Sequence, residues 1–78
     1  MKLRLTKSEM KVVKHKALGL SEKQIADKLF NAIPTIKKHL QNARNKNGLK
    51  NSFELVARYA ANNPFIFLLE TEIEYETL

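Results

Sequence analysis

Apolar residues recur at helical spacing in four stretches of this chain, and three of the four open on a side chain suited to capping a helix. Thr6-Lys-Ser-Glu9 is a capping box: the Thr6 hydroxyl suits the backbone N–H of Glu9, and the Glu9 carboxylate reaches back to Thr6. The helix it predicts turns Met10, Val13 and Ala17 inward and stops at Gly19. Ser21-Glu-Lys-Gln24 repeats the box ahead of Ile25, Ala26 and Leu29. A short turn over about Phe30 to Ile33 precedes a third helix that begins near Pro34, because proline fits the first turn of a helix. Its buried stripe is Ile36, Leu40 and Ala43, and its other side shows Lys37, Lys38, Gln41, Arg44 and Asn45. Asn47-Gly48 closes it. Asn51-Ser-Phe-Glu54 predicts a fourth helix running to about Asn62. That helix carries two apolar stripes, Phe53, Val56, Ala57 and Ala60 on one and Leu55 and Tyr59 on the other. One can pack on the core; the other is open to a partner or is half-exposed surface, which is common.

Residues 64–78 follow a different pattern. Asn63-Pro64 could open a short fifth helix, yet Glu70, Glu72, Glu74 and Glu76 alternate with Thr71, Ile73, Tyr75 and Thr77 at strand period. Lys2-Leu3-Arg4-Leu5 alternates in the same way with opposite charge. Two readings follow: an antiparallel ribbon pairing residues 2–5 with 72–76, or a solvated acidic tail, which the composition favours. The chain thus divides into a helical domain, residues 1–63, and an acidic C-terminal tail, residues 64–78. The fold class is all-α: four helices and a short tail.

Charge sharpens this picture. Fourteen basic and four acidic side chains give residues 1–63 a charge of +10, while four glutamates give residues 64–78 a charge of −4. A basic body suits a polyanion, because each neutralised phosphate releases counterions. With 78 residues and no cysteine, the chain holds one small core without disulfides, in keeping with a reducing compartment. The longest apolar run, Phe65-Ile-Phe-Leu-Leu69, falls well short of the roughly 18 residues of a membrane span. Enzyme chemistry has little to work with. There is no glycine-rich loop, the carboxylates cluster only in the tail, and His15 and His39 lack metal-ligand spacing. No cofactor, metal or small-molecule ligand is expected.

The residues Leu5-Thr6, Glu9, Val12-Val13, Gly19-Leu20-Ser21, Lys23-Gln24-Ile25-Ala26, Leu29-Phe30, Thr35-Ile36-Lys37, His39, Asn42, Lys46, Gly48-Leu49 and Glu54 occur in an order and spacing that resembles the DNA-binding domain of LuxR-type transcriptional regulators. The resemblance spans about residues 5–60. It implies a four-helix domain whose second and third helices form a helix-turn-helix, with the third helix, about residues 34–47, in the major groove. It implies that Lys37, Lys38 and Gln41 face base edges and that Thr35, Lys46, Lys23 and Arg44 contact phosphates. It also implies dimerisation through the fourth helix, with Leu55 and Tyr59 as the expected contacts. The chemistry of the residues agrees. Lysine can donate to guanine O6 and N7, and glutamine can pair with adenine. Positions 34, 38, 41 and 45 share one helical face, which 37, 41 and 44 overlap. Thr35 stands in the first turn, where its hydroxyl and the helix amides suit a phosphate oxygen.

Four positions depart from that family's pattern. Ala32 replaces a capping serine, a loss of about 1 kcal/mol that Asn31 or Pro34 could offset. Asn47 replaces a leucine at the end of the buried stripe, His15 an apolar residue, and Ser52 a common arginine. Members of the family usually carry a further N-terminal domain. Here the sequence starts five residues before the first cap, so an excised domain and a standalone regulator both fit, and the tail favours the latter. The expected function is a cytoplasmic, sequence-specific regulator that binds double-stranded DNA as a homodimer. The alternative is a protein-interaction module with weakened DNA binding, using the fourth helix and Phe65–Leu69.

Overall fold

A computed structural model describes residues 3–64. It contains α1 (Lys7–Ala17), α2 (Glu22–Leu29), α3 (Ile33–Lys46) and α4 (Ser52–Asn62), with no strand among the described residues. Both capping boxes form. The Glu9 N–H donates to Thr6 Oγ1 at 3.1 Å while the Thr6 N–H donates to Glu9 Oε1 at 2.9 Å. Ser21 and Gln24 repeat the exchange at 3.1 and 2.8 Å. Asn51 Oδ1 accepts the Glu54 N–H at 2.9 Å, and Glu54 Oε2 reaches back one residue further, to the Lys50 N–H at 2.7 Å. Gly48 lies at φ +67, and a Cβ there would meet nothing within 4 Å, so the turn after α3 needs glycine for its backbone conformation alone.

α3 begins at Ile33, one residue before the expected start. Ala32 gives no side-chain cap, as its methyl dictates. Its carbonyl instead accepts the N–H groups of Thr35 and Ile36 at 3.0 and 3.3 Å, and Pro34 removes one donor that would otherwise need a partner.

The core is one cluster: Val12, Val13, Ile25, Ala26, Ile36, Leu40, Ala43, Leu55 and Tyr59. α1 packs on both α3 and α4, and α2 packs on α3. This corrects two expectations. Met10 is not an inward residue; it is 48% exposed, and Val12 takes the buried place beside Val13. A helix wedged between two others needs a broad apolar face, which adjacent valines supply. Leu55 and Tyr59, expected as dimer contacts, are core residues: Leu55 is fully buried and Tyr59 nearly so. Their i, i+4 pair faces the other helices, which leaves Phe53, Ala57, Arg58 and Ala61 outside.

Asn47 closes α3 in a way its type did not announce. Its Oδ1 accepts the Arg4 N–H at 2.7 Å, and its Nδ2 donates to the Arg4 carbonyl at 2.9 Å. One amide side chain thus pairs with the backbone of the N-terminal segment as a neighbouring strand would. Leu3 and Leu5, on either side of Arg4, pack against the core. The expected fifth helix at Asn63-Pro64, the Phe65–Leu69 run, the ribbon of residues 2–5 with 72–76 and the glutamates of the tail lie wholly or partly outside the described residues.

Leu55→Ala should cost about 2–5 kcal/mol, as buried truncations do. Phe53→Ala, on the outer face of the same helix, should change stability by about 0.5 kcal/mol or less. Urea denaturation followed by circular dichroism reads both, and equal losses would contradict this packing.

Candidate nucleic-acid interface

α2 and α3 are joined by a tight turn at Phe30, which sits in the left-handed region at φ +57 and is 94% exposed. The turn sends α3 across α2, with Ile36, Leu40 and Ala43 anchored in the core. At 100° per residue the opposite side of α3 must then face solvent. Pro34, Thr35, Lys37, Lys38, Gln41, Asn42 and Asn45 are all exposed. Pro34, Lys38, Gln41 and Asn45 form the central row, and Lys37 flanks it. The side chains of Lys37, Lys38 and Gln41 make no hydrogen bond or ion pair with another described residue. The first turn of α3 contains no acid. The result is a helix face that presents donors and positive charge and no competing carboxylate of its own.

The other expected contacts divide. Thr35 is exposed in the first turn of α3, and Lys23 is exposed in the first turn of α2. Lys46 and Arg44 are engaged within the fold. Lys46 Nζ lies 2.6 Å from Glu9 Oε1, on the side of α3 that meets α1. Burial alone would raise the Glu9 carboxyl, but the Lys46 ammonium and the Thr6 N–H outweigh it and hold Glu9 below its ordinary value. Arg44 is half-buried, with Nη1 a long 3.4 Å from the Lys50 carbonyl and Nε buried without a partner. Sequence reasoning missed both roles. The available signal was angular, since positions 44 and 46 lie at the two edges of the buried stripe rather than opposite it. His39 is half-buried near the turn, lining a small cleft with Ser8, Lys11 and Asn31. His15 Nδ1 donates to the Lys11 carbonyl at 2.6 Å. Among the described residues no cluster of His, Asp or Glu could hold a metal ion.

A helix-turn-helix with a polar, basic outer face on its second helix narrows the field, and comparison with known proteins decides it. Residues 3–59 match the family model described as bacterial regulatory proteins, luxR family. The chain belongs to that family. It is therefore a DNA-binding helix-turn-helix domain of transcription regulators, a family of binding domains rather than enzymes. No curated protein and no solved structure gave a match. The match runs from the N-terminal segment through the core residue Tyr59, so it includes the Asn47–Arg4 pairing and both edges of the Glu9–Lys46 bridge.

The Glu9 shift carries a pH dependence. A carboxyl whose folded value is depressed stabilises the fold fully above its unfolded value and loses that contribution as pH falls through the folded one. Wild type should therefore lose stability below about pH 4.5 more steeply than Glu9→Gln, which keeps an acceptor but cannot titrate. Thermal melts from pH 7 to pH 3 check this. Parallel curves for the two proteins would show that Glu9 is not the depressed group.

Proposed function

We propose that this domain binds duplex DNA sequence-specifically, with the outer face of α3 in the major groove and a second copy joined through the outer face of α4. The carrying observation is the exposed row of α3, unpartnered among the described residues and free of acid. Lys37, Lys38 and Gln41 meet base edges, where ammonium and amide groups have the right donors and acceptors. Thr35 and Lys23, each in a first turn, hold phosphates on either side. Lys46 and Arg44, expected at phosphates, are taken here as residues that seat α3, since Lys46 pairs with Glu9 and Arg44 lies near the Lys50 carbonyl.

The dimer surface moves accordingly. Phe53, 81% exposed, borders a shallow apolar hollow with Ala57, Arg58 and Ala61 on α4. Its small residues allow a second helix to approach closely, and Phe53 gives it an anchor. Two such domains would read two half-sites of an inverted repeat. No described helix is long and apolar enough to cross a membrane; the cytoplasmic location belongs to this reading through its DNA partner alone. The same exposed phenyl ring supports the second reading, a module that docks another regulator.

Binding to duplex DNA across a salt series separates the roles. Lys23→Ala should lower the slope of log affinity against log salt by about one while leaving base preference alone. Gln41→Ala should keep the slope and lose about 1–3 kcal/mol of discrimination at one base pair. Phe53→Asp should convert a 2:1 complex to 1:1 in sedimentation. If all three variants bind DNA as wild type does, the reading is wrong; if only Phe53→Asp acts, and on protein partners, the docking module takes its place.

A further inference from the structure

The exposed face of α3 changes character along its length. Lys37, Lys38, Gln41, Asn42 and Asn45, over its middle and end, all carry hydrogen-bonding side chains. Its start does not. Ala32, Ile33 and Pro34 are consecutive, exposed and apolar. Four large apolar side chains are exposed among the described residues, Met10, Phe30, Ile33 and Phe53, and two of them, Phe30 and Ile33, stand at this corner. Apolar surface gathered in one exposed place marks a contact.

Pro34 is the member of the outward row nearest the N-terminus of α3, the end that a helix in the major groove turns toward base edges. Its ring has no donor or acceptor, and its backbone nitrogen carries no hydrogen. The Ala32 carbonyl beside it is taken up by the Thr35 and Ile36 N–H groups at 3.0 and 3.3 Å. The first turn holds no acid. What this end of the row offers a base is therefore carbon. The major-groove edges of the four bases carry one apolar group, the thymine C5-methyl, and every other feature there is a hydrogen-bond donor or acceptor.

We propose that Pro34 is a specificity-determining residue whose ring packs on the C5-methyl of a thymine in each half-site. This rests on the reading of α3 as the helix in the major groove. Two effects act in the same direction. Ring against methyl removes apolar surface from water. Any other base at that position would lose water from a polar edge with nothing to replace it. Ile33 stands one position from Pro34, on the flank that it shares with Lys37 at i+4, and extends the apolar surface to that side. Lys38 and Gln41 follow Pro34 at i+4 and i+7, about 6 and 10 Å along the axis, or about two and three base-pair steps. The half-site therefore has an order: thymine at one end, then the guanine and adenine edges that Lys38 and Gln41 fit.

The test uses the full chain and the duplex that it enriches from a randomised pool. Each thymine of one half-site is replaced in turn by deoxyuridine, which deletes the methyl and keeps every hydrogen-bonding group. At one thymine the replacement should weaken binding about fourfold, the effect of one buried methyl-sized group. Pro34→Ser, its fold checked by circular dichroism, should bind the thymine and uracil duplexes equally well. Pro34→Val, apolar again, should restore the preference. Lys38→Ala should weaken binding to both duplexes and keep their ratio. A half-site whose thymines all tolerate uracil would overturn the proposal while leaving DNA reading in place, and would make the apolar corner a protein contact. A uracil penalty undiminished in Pro34→Ser would overturn it too, because another residue would then hold the methyl. Failure to enrich any sequence would overturn the reading of α3 itself, and this proposal with it.

Discussion

One carboxylate oxygen ties the two ends of the fold together. Glu9 Oε1 accepts the Thr6 N–H, which starts α1, and the Lys46 ammonium, which lies in the last turn of α3. Glu9 is 5% exposed, so its charge is tolerated only because both donors reach it. Removing the carboxylate would break one half of the α1 capping box, leaving the Thr6 hydroxyl on the Glu9 N–H, and would release Lys46 at the end of α3 in the same step. A charge-assisted bond of this kind contributes about 1.5–3 kcal/mol, a sizeable share for a domain whose core is one small cluster. Ile36, Leu40 and Ala43 seat α3 in the core, and this bond fixes its last turn against the start of α1.

The departures from the family pattern read differently once their partners are seen. Asn47 costs an apolar contact at the end of the α3 stripe, but it makes three hydrogen bonds, to the Arg4 N–H, the Arg4 carbonyl and the Ala43 carbonyl. It exchanges local packing for control of the N-terminal segment. Ala32 gives no side-chain cap, and its carbonyl takes the Thr35 and Ile36 N–H groups while Pro34 brings no donor to the first turn. Neither change disturbs the outer face.

How far the sequence announced this depends on the range of the interaction. The capping boxes at Thr6 and Ser21 were legible because both partners lie three residues apart. The α3 stripe was legible because only one of its faces is apolar. α4 was ambiguous: two apolar stripes fit the same helix, and only packing against α1 and α3 shows that Leu55 and Tyr59 are the inner pair. The roles of Asn47 and Lys46 were hidden because their partners, Arg4 and Glu9, are 43 and 37 residues away. Lys37, Lys38 and Lys46 look alike in sequence, and what separates them is angle about one helix axis. The exposed donors were therefore foreseen better than the contacts that aim them.

The central claim is that the outer face of α3 reads base pairs. Selection from a randomised duplex DNA pool, with sequencing of what the domain retains, tests it most directly. The account predicts enrichment of an inverted repeat, with half-sites one helical turn or a multiple apart. Retention without enrichment would reduce the domain to a charge-driven binder, and no retention would contradict the claim outright.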